Sequence, residues 1–173
     1  MSRFYYDFEF LEDGSTIMPL SIGIVSFDGY STYYAGFSDV DHVRARAEPW
    51  LAKNVFPKMP PMTAKRFWKP KATIAQEVLG FFGIVRGVAQ QGVPELWADH
   101  ASYDHVALCQ LYGRMIDLPS GMPMFTMDLQ QQLVATGFRR AELPVQDPET
   151  EHHALEDALH LRRCHRWVLG LDQ

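Results

Sequence analysis

Apolar and polar positions along the chain first predict a run of strands. Residues 3–9 form an aromatic-rich stretch that reads as strand one, and Asp13-Gly14 within 12–16 is the turn that follows it. A second strand covers 19–27, Asp28-Gly29 turns the chain again, and residues 30–37 make a third. Short turns of this chemistry join antiparallel neighbours, so the first three strands predict a meander. Beyond them the period changes. Residues 39–55 predict a helix begun by Asp39 or Asp41 and broken or restarted at Pro49, with a proline-rich loop over 56–62. Ile74, Val78, Phe81, Phe82 and Val85 set a helical stripe over 73–88. A short apolar strand at 94–99 leads to a helix over 103–113. A strand over 122–129 leads to a helix over about 128–136, and a last helix runs over about 153–170. Strands first, then alternating helix and strand, predict an α/β fold with a mixed central sheet flanked by helices. Nothing divides the 173 residues, which read as one domain over 1–173.

Four acids break this pattern. Alternation puts Asp7 and Glu9 on one face of the first strand, about 7 Å apart. An acidic solvent face is the alternative reading of that pair. Asp104 lies on the stripe continued by Leu108 and Leu111, where an N-cap is the alternative. Asp157 has no such alternative. Ala154, Leu161, Cys164 and Val168 share its helix face, and an aspartate there must be paired, protonated or bound to metal. Glu156 points elsewhere. Hard oxygen ligands in this number suit Mg²⁺ or Mn²⁺, and two such ions can clamp both oxygens of a phosphoryl displacement. Hydrolysis also needs a base. His152 reaches the aspartate if the helix begins just after it, and His153 is the competing candidate.

Composition changes this picture little. The chain is 47% hydrophobic and 21% charged, as an ordinary globular protein is. A formal charge of −5 offers no overall basic surface. Setting aside four carboxylates as ligands leaves 17 acidic against 16 basic residues, so a nucleic-acid substrate is not excluded. No apolar run approaches a membrane span and no signal peptide is legible, which predicts a cytoplasmic protein without membrane partners. Cys109 and Cys164 lack metal-ligand spacing and read as buried, reduced thiols.

The segments "DFE", "YD" and "HHALED" occur in an order that resembles the DEDDh 3′→5′ exonucleases of the RNase H-like superfamily. A further likeness, over most of the chain, is to the small actinobacterial polyadenylate-specific 3′-exoribonucleases of mycobacteria. The resemblance implies an RNase H-like fold and hydrolysis of RNA to nucleoside 5′-monophosphates from an accessible 3′ end, single-stranded or overhanging. It implies Asp7, Glu9, Asp104 and Asp157 as ligands of two Mg²⁺ or Mn²⁺ ions and His152, by its spacing, as the base. Homodimers are common among such relatives. Two features depart from the family pattern: Phe8 stands inside D-x-E, where a small or aliphatic residue is usual, and Asp99-His100 replaces an His-Asn pair.

Candidate substrate contacts are Phe8 and Phe10 beside the acids and Lys65, Arg66 and Trp68 in "KRFWKPK", a mixture suited to phosphates and base stacking. For that segment the other reading is a solvated basic loop with Trp68 anchored in the core. Phe8 itself should face the core. Asp128 reads as a helix cap, and His160 and His165 as helix-surface or packing histidines. Two alternatives stand beside an exoribonuclease. One is a DNA exonuclease of proofreading or repair type, with the same metal centre. The other is a non-catalytic RNase H-like binding module, which would have no reason to retain buried acids.

Overall fold

The computed structural model describes residues 2–171. Its centre is a six-stranded sheet in the order β4-β3-β2-β1-β7-β8, built from β1 (Arg3–Glu12), β2 (Ile17–Ser26), β3 (Thr32–Phe37), β4 (Trp68–Lys69), β7 (Glu95–Ala98) and β8 (Met127–Asp128). The first three strands pair antiparallel, as the turn chemistry predicts, with Gly14 and Gly29 at φ +82° and +84° in the two turns. β4, β7 and β8 join in parallel, giving the mixed sheet of an RNase H-like fold. No helix among the described residues is long and apolar enough to cross a membrane.

Helices cover both faces. Phe4, Tyr6 and Phe8 of β1 point to one side and pack with Ile22, Ile24 and Phe37. Helices α3 (Lys71–Phe81) and α4 (Ser102–Gln110) close that core. Tyr5 points to the other side, where α5 (Leu129–Thr136) and α6 (Ala154–Val168) cover it with Leu129, Leu133, Leu161 and Cys164. Asp7 and Glu9 follow Tyr5 on this second face, at the end of the strand that projects beyond β7. Both cysteines are free and buried.

Several elements differ from expectation, each for a local reason. The helix proposed over 39–55 is two short ones, α1 (His42–Ala47) and α2 (Pro49–Asn54), with Pro49 at the first position of the second and Asp41 capping the first. The helix proposed over 73–88 stops at Phe81. Positive φ at Gly83, Arg86 and Gly87 turns residues 84–89 into a hairpin of β5 (Ile84–Val85) and β6 (Val88–Ala89). Of the strand proposed over 122–129 only Met127–Asp128 pairs. Asp128 caps α5 by accepting the Gln130 and Gln131 N–H groups.

Candidate active site

β1 is longer than its parallel neighbour, and that difference opens the site. Of β1, β7 pairs with Arg3–Tyr5 alone. Past Tyr5 the edge of β1 needs other acceptors, and the Phe8 N–H donates to Asp104 Oδ1 at 2.8 Å. Asp104 is 4% exposed, in the first turn of α4, where its carboxylate bonds the neighbouring strand and is not an N-cap. The backbone of Phe8 thus links the strand carrying Asp7 and Glu9 to the helix carrying Asp104.

On the opposite side of β1, α6 comes unusually close. Gly23 stands opposite Asp7 in the β1–β2 register. A Cβ there would lie 2.2 Å from the backbone nitrogen of Leu155 and 2.3 Å from Ala154 C. Only a residue without a side chain lets the first turn of α6 rest on the sheet at this point. That seating delivers Asp157 to Glu9. Ligand atoms of Glu9, His152 and Asp157 all lie within 4.8 Å of one another, a group that can hold a metal ion.

His152 and His153 are clearly separated by the backbone. His153 is the N-cap of α6: its Nδ1 accepts the Glu156 N–H at 3.4 Å, and its ring stacks on Tyr34 with centroids 4.5 Å apart. His152 precedes the helix at φ +65°, its N–H donating to Asp157 Oδ2 at 3.0 Å. Its ring turns into the acidic group and meets the Trp50 indole edge-on at 4.8 Å. Gln146 Nε2 donates to the remaining oxygen, Asp157 Oδ1, at 2.5 Å.

The electrostatics are those of negative charge held out of water. Burial, and then the charges of Asp104, Glu9 and Asp157, holds the Asp7 carboxyl well above the usual carboxylate range. Burial, followed by Asp157, pushes Glu9 up to about 8. Burial pushes Asp104 up to about 7 against the opposing pull of the Phe8 N–H. Asp157 is also raised by burial, although Gln146 and His152 stabilise its charge. Among the described residues no lysine or arginine forms a salt bridge with any of the four. Clustered carboxylates of this kind fit a divalent cation, which relieves both the repulsion and the lost hydration.

A cavity of 310 Å³ opens beside this group, with Asp7, His152 and Asp157 in its wall. His160 also lines it from the surface of α6, whereas His165 is 1% exposed in the core. Sequence reasoning missed Gln146, Trp50 and Arg140 here. Their only signal is spatial, because each meets the site from a separate loop or helix.

Two of the expected substrate contacts are corrected. The Phe8 side chain is 3% exposed, packed against Tyr6 and Phe37, so it cannot touch a substrate; its backbone serves the site instead. Trp68 is 7% exposed, lies under Gly36 and donates Nε1–H to Pro61 O at 3.1 Å, which makes it a core anchor. Lys65 and Arg66 are exposed, with the Arg66 guanidinium over the Phe67 ring. Phe67 in turn meets Tyr34, the ring on which His153 stacks. Phe10 lies nearly parallel to Tyr103, centroids 5.7 Å apart, next to both acid-bearing elements.

The family model described as "3′-5′ exoribonuclease Rv2179c-like domain" matches residues 2–169. Two proteins of Mycobacterium tuberculosis are similar along almost the whole chain. They are named 3′-5′ exoribonuclease Rv2179c (strain ATCC 25618 / H37Rv) and 3′-5′ exoribonuclease MT2234.1 (strain CDC 1551 / Oshkosh). Each is 40% identical over 172 residues, covering 98% of this chain and 95% of the relative.

Proposed function

The chain belongs to the Rv2179c-like 3′-5′ exoribonuclease domain family, and from that premise we propose that it is a divalent-metal-dependent exoribonuclease removing nucleoside 5′-monophosphates from accessible 3′ ends of RNA. The observation that carries the reading is the convergence of Glu9, His152 and Asp157 within 4.8 Å, beside Asp7 and Asp104, with Asp7, His152 and Asp157 in the wall of a cavity.

Asp7, Glu9, Asp104 and Asp157 are the groups that would hold two Mg²⁺ or Mn²⁺ ions. When bound, such ions supply charge neutralisation at the phosphate and a lowered pKa for water. His152 is the general base. It stands outside the helix, free of the capping duty that occupies His153, and takes the proton of the attacking water as the new O–P bond forms. The bond from phosphorus to the 3′ oxygen breaks, and that oxygen takes a proton from solvent water while the protonated His152 returns its proton to solvent. Phe8 N–H and Gln146 keep Asp104 and Asp157 oriented through the cycle. The reading places a single exonuclease domain over residues 1–173 in the cytoplasm.

The test uses 5′-labelled RNA and DNA of identical sequence, single-stranded or with a 3′ overhang, in Mg²⁺, Mn²⁺ or EDTA. The expected result is stepwise shortening of RNA from its 3′ end with either ion and none with EDTA. Shortening of DNA in preference to RNA would replace the substrate assignment. Metal-independent cleavage would remove the assigned centre.

A further inference from the structure

We propose that Arg140 contacts the substrate, its guanidinium taking a backbone phosphate of the RNA strand entering the cavity. The inference rests on the exoribonuclease reading above. A site built from buried carboxylates repels a polyanion, and the cavity wall adds more acid through Asp99 and Glu151. Among the described residues lining that cavity, Arg140 is the one lysine or arginine.

Its placement is prepared. Arg140 begins a single helical turn, Arg140–Glu142, closed by a capping box in which the Arg139 N–H and guanidinium both meet Glu142. Leu143, buried in the α6-side core, anchors the end of that turn. Asp99, at the end of β7, has both oxygens engaged: Oδ1 accepts from Gln130 Nε2 at 2.5 Å and Oδ2 from Arg140 Nη1 at 2.6 Å. Asp99 therefore holds the arginine in place. Arg140 commits one N–H to this pair while 57% of its side chain stays exposed, so the fork retains donors for an anion. Lys69, by contrast, is committed to Glu77.

The competing account is that the pair merely fastens the 140–142 turn to the sheet. Steady-state cleavage of single-stranded RNA by wild type, Arg140→Gln and Arg140→Lys, measured from 50 to 200 mM salt, separates the two. Losing one charged contact should raise KM roughly tenfold with kcat within about twofold. It should also flatten the dependence of log KM on log salt by about 0.7. Arg140→Lys should restore the salt slope while recovering only part of the affinity, since an ammonium lacks the planar fork. An Arg140→Gln enzyme with unchanged salt slope, whether or not its kcat or melting temperature falls, overturns the proposal. A wild-type protein inactive on RNA would sink the functional reading itself, an outcome distinct from active enzyme indifferent to Arg140.

Discussion

Gly23→Ala tests how the site is assembled. The added methyl would sit 2.2 Å from Leu155 N and 2.3 Å from Leu155 Cα, and both are backbone atoms that no rotamer change can move. Restoring an ordinary 3.4 Å contact requires the first turn of α6 to retreat about 1.2 Å. The retreat carries Asp157 and the preceding His152 away from Glu9. Overpacking against backbone costs about 3 kcal/mol, the upper part of the usual range. A displacement of about 1 Å in a catalytic group costs on the order of a hundredfold in rate. Thermal unfolding and kcat on RNA measure the two effects separately. Gly80→Ala is the control: it sits in α3 with nothing within 4 Å of a Cβ, so it should be neutral or stabilising by up to about 1 kcal/mol. Wild-type stability and rate in Gly23→Ala would refute the argument that the approach of α6 to the sheet sets the geometry.

Gln146→Ala leaves Asp157 Oδ1 without its 2.5 Å donor, so calorimetric Mn²⁺ affinity should fall about 10- to 100-fold with the melting temperature nearly unchanged. Burial holds His165 at about 4, with its Nδ1 2.9 Å from the Tyr5 hydroxyl. Between about pH 6.5 and 4 the unfolded chain binds a proton that the native protein does not. Stability from this group is thus complete above 6.5 and is lost as pH falls towards 4, by on the order of 3 kcal/mol. The stability difference between wild type and His165→Gln, followed by denaturant titration, should narrow by that amount across the window; a constant difference would contradict the burial argument.

What the chain reveals of itself depends on whether the signal is local. Asp13-Gly14 and Asp28-Gly29 announce their turns because positive φ favours glycine, and three antiparallel strands follow from them. Asp157 is legible as an anomaly because its neighbours on α6, Ala154, Leu161 and Cys164, are all buried. Periodicity misled where it carried on through a break: Val85 fits the α3 stripe, yet Gly83 had already ended the helix. The aromatic content of "KRFWKPK" suggested stacking, while Trp68 is committed to covering Gly36 in the core. Gly23 looks like an ordinary strand glycine until α6, more than a hundred residues later, is laid over it. The Asp99–Arg140 pair joins residues 41 apart, a contact without any periodic signature.

The central claim is that the converged acids and His152 form one metal-dependent hydrolytic centre. Its most direct test is single-turnover release of mononucleotide from 3′-labelled RNA in saturating Mn²⁺, comparing wild type with Asp104→Asn and His152→Ala. The account predicts release by wild type, a loss of at least about 10²-fold in each variant, and no release in EDTA. Variants that release mononucleotide at the wild-type rate would contradict it.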